Sequence, residues 1–281
     1  YTMIQKKDDQ FIKDAIFISY TSLSDFLKCP RSYYLKNLYR DPRTGNRVQI
    51  ASPYLSLGST VHDAVKWFLD MGGQLTEEQL EVKFRNLWLK YHGKRGGFSS
   101  REDEASFGKR GLSILENFYK NWTVLGKPAP NIHFPKLNLL DNLVLMGNFD
   151  YVEELPDGTL HVIDFKTGSK DEKDTLQLDI YAILAEANFS KIVSKASFWY
   201  LDRDDNPKDI VLDSLEPKLE ELRENAKELK KAIEKSDWVC KKAPEACKDC
   251  REYQEILDGK LEFQFTDEKY HKDIYFLPKN T

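Results

Sequence analysis

The sequence predicts an α/β protein with a mixed central sheet, preceded by a helical region and followed by a further helix and a cysteine cluster. Three observations predict it. The apolar period is helical as far as Pro128 and Pro130 and strand-like beyond them. Pro156-Asp157-Gly158 is a turn signal at hairpin spacing between two apolar runs. A helical stretch, Thr175 to Asn188, is then followed by a buried-type strand, Ala196 to Leu201.

The elements follow in order from the same reasoning. Ser22 to Leu27 starts a helix, Cys29-Pro30 interrupts it, and Ser32 to Tyr39 continues it with Tyr and Leu on one face. Val61, Ala64, Val65, Phe68 and Leu69 form an apolar stripe after Gly58, closed by Gly72-Gly73. Leu80, Phe84, Leu87 and Trp88 form another, after which Gly93 to Ser100 reads as a mobile, basic loop. A fourth helix is expected from Glu102 to Trp122, and the prolines Pro128 and Pro130 mark a boundary. Ile132 to Leu139, Leu143 to Leu155 and Thr159 to Thr167 read as strands, with a shorter one near Ile210 to Leu212. Leu215 to Ile233 is a charge-laced helix leading into the cysteines, and the last twenty residues look partly extended. The expected division is a helical region over 1–130, a core over 131–214 and a C-terminal helix with the cysteine cluster over 215–281.

Composition narrows the function classes. With 41% apolar and 31% charged residues in 281, the chain reads as soluble and globular rather than disordered or fibrous. The charge-free stretch from Gln49 to His62 is broken by Ser, Pro, Gly and Thr, so no segment approaches the roughly 18 apolar residues of a membrane span. Lys6, Lys7, Asp8 and Asp9 stand where a signal peptide would be apolar, which makes a cytoplasmic location the expectation. The net charge of −4 hides an asymmetry: residues 1–130 carry +6 and residues 131–281 carry −10. A polyanion would therefore meet the N-terminal half. There Lys28, Arg31, Lys36, Arg40, Arg43 and Arg47 are interleaved with Tyr33, Tyr34 and Tyr39, a mixture that suits single strands as well as it suits a solvated amphipathic helix.

Four cysteines in such a chain are better metal ligands than disulfides. Cys240, Cys247 and Cys250 crowd into a C-x6-C-x2-C segment flanked by lysines and Pro244, with Cys29 far upstream. Four thiolates suit a [4Fe-4S] cluster or a structural zinc equally, and the spacing does not separate them.

The chemistry gathers on the hairpin. In Asp164-Phe165-Lys166 the strand period of two puts carboxylate and ammonium on one face, with Asp150 on the strand before. Such a pair is either a strand-end salt bridge or a site in which Asp150 and Asp164 bind a divalent cation while Lys166 stabilises an anionic transition state. Gln177 and Tyr181, four apart, share a face of the following helix, and His62 lies four residues after Gly58.

In this order, Cys29-Pro30-Arg31, Gly58-x-x-x-His62, Gly147-x-x-Asp150, Ile163-Asp164-Phe165-Lys166-Thr167-Gly168, Gln177-x-x-x-Tyr181 and the three cysteines resemble the RecB-like branch of the PD-(D/E)XK nuclease superfamily. More narrowly, they are similar to its iron-sulfur members, such as the CRISPR-associated adaptation exonucleases and the nuclease domains of helicase-nuclease machines. The resemblance spans residues 18–252 and implies a restriction-endonuclease-like core, αβββαβ. It implies His62, Asp150, Asp164 and the backbone carbonyl of Phe165 as ligands of Mg2+ or Mn2+, and Lys166 as the catalytic lysine. Gln177 and Tyr181 would orient the site or touch the DNA backbone, and Cys29, Cys240, Cys247 and Cys250 would hold a structural [4Fe-4S] cluster. Two features depart from the pattern: Tyr151 stands where many relatives have Arg, and the close cysteine pair comes last rather than first.

The expected activity is metal-dependent DNA exonuclease action on single-stranded ends, in recombination, repair or CRISPR adaptation. The chain carries no Gly-Lys-Ser/Thr phosphate loop, so unwinding would come from a helicase or a recombination partner. Two other readings compete: a catalytically silent nucleic-acid-binding or assembly module, and a hydrolase using paired carboxylates on sugars.

Overall fold

The computed structural model describes residues 15–242 and 247–278, so the reading of Lys6 to Asp9 lies outside the described residues. β1 (Ile16–Ile18) leads into α1 (Tyr20–Lys28). Cys29 is extended, which breaks the helix, and Pro30 restarts it as α2 (Pro30–Tyr33), continued by a π-helical turn over Tyr34–Leu38. β2 (Arg47–Ile50), which the sequence reading missed, precedes α3 (Pro53–Asp70). That helix starts ahead of Gly58, because Pro53 fills a first-turn position where its missing N–H leaves no bond unmade. α4 (Glu77–Trp88) opens on a capping box between Thr76 and Gln79, and α5 (Arg101–Asn121) follows.

Pro128, read with Pro130 as a boundary, instead lies in a short edge strand, β3 (Lys127–Pro128), where proline costs no ladder bond. The chain continues through β4 (Lys136–Leu140), β5 (Leu143–Met146), β6 (Tyr151–Glu154) and β7 (Leu160–Lys166). α6 (Leu176–Phe189), β8 (Val193–Tyr200), β9 (Lys208–Ile210) and α7 (Leu215–Lys235) come next. α8 (Arg251–Leu257), β10 (Glu262–Asp267) and β11 (Lys272–Phe276) complete the described elements.

The chain divides into two units. One comprises the segment up to Ser24 with Lys120–Asp237, and the other Asp25–Tyr119 with the segment from Trp238 onward. In the first, a mixed sheet runs in the order β3-β6-β7-β8-β9, and a second, three-stranded sheet runs β1-β5-β4. β6 and β7 form the expected hairpin, Tyr151 opposite Ile163, through a turn whose Gly158 has φ +84°. β7 and β8 are parallel, with α6 as the crossover between them. α6 is apolar nearly all round and accordingly buried: Leu178 packs with Ala196, Phe198 and Tyr200 of β8.

Leu143 to Leu155 is not one strand: it splits into β5 and β6, which belong to different sheets. Asp150 therefore lies in the joint between them, immediately ahead of β6, rather than on a strand.

In the second unit a sheet runs β10-β11-β2, and α3 contacts α4, with Phe68 of α3 edge-on to Phe118 and Tyr119 of α5 and its neighbour. The segment read as a mobile basic loop is a 3-10 turn at Gly93–Gly96 pinned by side chains. Lys94 pairs with Glu262 at 2.6 Å, the Arg95 guanidinium lies 4.2 Å over the Phe265 ring, and Phe98 is buried. Part of the basic, aromatic stretch is likewise used in packing. Tyr33 and Tyr34 each lie 5.7 Å from the Trp238 ring, Lys36 pairs with Asp25 at 2.8 Å, and Arg43 with Asp41 at 2.7 Å. No helix among the described residues is long and apolar enough to cross a membrane.

Candidate active site and metal centre

The strand period places the first group of residues. Along β7, Asp164 and Lys166 share the face on which β8 presents Phe198, and Phe165 points the other way, edge-on to Trp199. Lys166 Nζ lies 2.9 Å from Asp164 Oδ2 and 4.9 Å over the Phe198 ring. From the first turn of α6, Gln177 reaches both members of the pair. Its Oε1 accepts from Lys166 Nζ at 2.7 Å and its Nε2 donates to Asp164 Oδ1 at 2.7 Å. The same Nε2 lies 3.3 Å from Tyr181 Oη, one turn along the helix.

Asp150 joins from the β5–β6 joint. Its Oδ2 accepts from the backbone N–H of Phe165 at 2.9 Å, which seats the carboxylate against the strand segment that carries Asp164 and Lys166. Gly147, three residues earlier, packs close to α6. A Cβ there would meet Leu184 Cδ1 at 2.8 Å and Tyr181 Cε1 at 3.4 Å, so a larger residue would force the Leu184 side chain to shift.

The charges in this group reinforce one another. Burial opposes the Lys166 charge, but the Asp164 carboxylate, aided by Glu172, outweighs it and raises the ammonium's pKa, so Lys166 is a fixed cation. Burial, then the Asp164 and Asp150 charges, push the Tyr181 hydroxyl up, so that it stays a neutral donor.

Two neighbours were not singled out in the sequence. Tyr20, the first residue of α1, is raised by burial and then by Asp174, with Lys166 acting the other way. Glu172, in the loop after β7, places Oε1 3.9 Å from Lys166 Nζ. Neither carries a local signal: Tyr20 opens an ordinary helix, and Glu172 sits in a polar run of lysines and acids.

The second group is the four cysteines. Cys29, Cys240, Cys247 and Cys250 bring their sulfurs within 4.8 Å of one another, with Cys29–Cys240 at 3.7 Å and Cys250–Cys240 at 3.8 Å. Cys29 comes from the break between α1 and α2, and Cys250 is the residue before α8. Leu35, Tyr34, Tyr253 and Leu257 wall them in. Burial pushes the Cys247 thiol up, and backbone N–H groups of Asp249 and Cys250 more than reverse it, to about 7. Four soft donors gathered this closely, three of them buried, are suited to a metal.

The structure thus gathers Asp150, Asp164, Lys166, Gln177 and Tyr181 into one constellation and the four cysteines into another. His62 lies half-buried on α3 in the second unit. The sequence profile of the PD-(D/E)XK nuclease superfamily matches residues 18–256, most of the chain. No curated protein matches it.

Proposed function

The chain belongs to the PD-(D/E)XK nuclease superfamily, a family of metal-dependent nucleases, and from that premise we propose that it is a DNA exonuclease acting on single-stranded ends. The observation that carries the proposal is the Asp164–Lys166 pair braced by Gln177, with Asp150 seated beside it. A sugar hydrolase would need two carboxyl groups set across a bond, one of them kept protonated, whereas here Asp164 is paired with the Lys166 ammonium, a cation suited to phosphate.

The donor set fits a hard divalent ion. Asp150 and Asp164 offer carboxylate oxygens, and the proposed further ligands are the Phe165 carbonyl and His62, whose imidazole favours Mn2+ over Mg2+. Bound there, the ion would supply Lewis acidity and activation of water. The chain's own residues do the rest. Lys166 is held charged by Asp164 and hydrogen-bonded to the Gln177 amide, so its ammonium is a positioned cation suited to an anionic phosphate. Gln177 fixes both partners at once, and Tyr181 supplies a neutral donor at the rim. The pathway we propose is recombination, repair or CRISPR adaptation, with unwinding supplied by a helicase or another partner.

The four cysteines would hold a structural metal. The family resemblance implies a [4Fe-4S] cluster. The sulfur separations favour a second reading, a single zinc ion, because four thiolates at about 2.3 Å from one zinc lie about 3.8 Å apart. Iron, sulfide and zinc analysis of anaerobically purified protein decides between them.

The activity test uses end-labelled single-stranded DNA with Mn2+ or Mg2+, wild type against Lys166→Ala, and a chelator control. Cleavage that needs metal and is lost in the variant supports the reading. The ladder from each labelled end gives polarity, and no cleavage by folded, metal-loaded protein overturns it in favour of a binding or assembly module.

A further inference from the structure

We propose that Glu172 is an internal competitor for Lys166: its carboxylate occupies the ammonium in the free protein, and the phosphate of an entering strand displaces it. The proposal rests on the nuclease reading and adds a gate to the same site.

Lys166 faces two carboxylates that differ in kind. Asp164 is buried and lies 2.9 Å away, joined to the lysine a second time through Gln177, so it does not leave. Glu172 Oε1 lies 3.9 Å away on a side chain that is 45% exposed, a contact water competes for.

The loop that carries Glu172 is anchored while its carboxylate is held through the long, solvent-exposed contact to Lys166. The Glu172 backbone N–H donates to Tyr200 Oη at 2.7 Å. The Arg203 guanidinium lies 4.3 Å over the Tyr200 ring, donates to the Ser169 carbonyl at 2.8 Å and pairs with Asp171. Lys208 of β9 pairs with Asp171 as well, at 2.7 Å. Tyr200 and Arg203 thus hold the loop backbone, and Lys208 with Arg203 holds the Asp171 side chain, which leaves the Glu172 side-chain torsions to swing. A fixed hinge with a solvated, charged arm is the geometry of a displaceable occupant. An acid that served only the loop's structure would instead be paired with Arg203 or Lys208, as Asp171 is.

The test reads binding rather than cleavage. Fluorescence anisotropy of a labelled single-stranded oligonucleotide is followed in 0.15 M salt without added divalent cation, for wild type, Glu172→Gln, Lys166→Ala and the double variant. Glutamine keeps the size of the side chain and all the backbone anchors. At this salt the Debye length is about 8 Å, so removal of a distant charge is largely screened while a direct competitor is not. The expected result is binding roughly two- to fivefold tighter in Glu172→Gln, with the gain absent in the Lys166→Ala background. A gain that persists without Lys166 is general repulsion and overturns the proposal, as does unchanged or weaker binding. Wild type that binds no nucleic acid overturns the nuclease reading itself, an outcome distinct from the other three.

Discussion

The side-chain amide of Gln177 bridges Lys166 and Asp164, accepting from the first and donating to the second, each at 2.7 Å. An amide used at both ends fixes the orientation of both partners. Gln177→Ala should therefore lower kcat about 10- to 100-fold and raise the Mn2+ concentration needed for half activity, with the melting temperature little changed. Gln177→Glu should be worse than alanine for metal-free stability, since it sets a second carboxylate against Asp164. Steady-state kinetics with a metal titration, alongside thermal melts, checks both.

Lys166→Met keeps the stem of the side chain over the Phe198 ring and removes the charge. The expected result is loss of cleavage by about two orders of magnitude or more, with folding retained. Circular dichroism and single-turnover cleavage of a labelled strand separate the two effects.

Gly147→Ala puts a methyl 2.8 Å from Leu184 Cδ1 and against the Tyr181 ring. Overpacking of this kind costs about 1–3 kcal/mol, and here it also pushes the joint that carries Asp150 away from Phe165. Urea denaturation should show the stability loss, and cleavage at saturating metal should fall as well.

Cys240 is the one of the four thiols that is not fully buried, so Cys240→Ser perturbs packing least. It should abolish bound metal, measured by elemental analysis, and lower the melting temperature, because one missing ligand opens a closed structural site.

The side-chain hydrogen bonds from Arg43 hold the Asp41 carboxyl well below its ordinary range, at about 2, despite burial. A depressed acid stabilises the fold fully above its unfolded pKa of about 3.9 and loses that contribution as pH falls through the folded value. Asp41→Asn should thus lower stability at neutral pH, by an amount that screening of the exposed Arg43 reduces, with the difference from wild type vanishing between about pH 4 and pH 2. Thermal melts of both proteins across that range measure it.

The site was legible in the sequence wherever a local period decided geometry. Asp164 with Lys166, and Gln177 with Tyr181, follow from strand and helix spacing, and the hairpin turn that precedes them is written in Pro156-Asp157-Gly158. What escaped depends on distant pairing. β1 is three residues and is a strand only because β5 lies parallel to it, and β2 exists because β11 returns to it from the far end of the chain. The break within Leu143 to Leu155 was hidden because Leu143–Met146 and Tyr151–Glu154 are each compatible with a strand, and their membership of different sheets is decided by distant partners. The anchoring of Gly93–Gly96 was illegible for the same reason: its partners Glu262 and Phe265 lie about 170 positions away.

The cysteine centre has a consequence for the order of events during synthesis. Its first ligand, Cys29, is translated early, and its last, Cys250, only after the whole of the other unit's long segment, Lys120–Asp237, has been made. β2 likewise waits for β11. The unit holding Cys29 thus cannot complete its cysteine cluster or pair β2 until the C-terminal segment is made, whereas strands β3 to β9 can pair earlier, and a metal taken up by the four thiols would join the two ends of that unit. If the thiols hold a metal, protease digestion of metal-starved protein is expected to reveal chains with a finished β3–β9 sheet and an unfinished second unit.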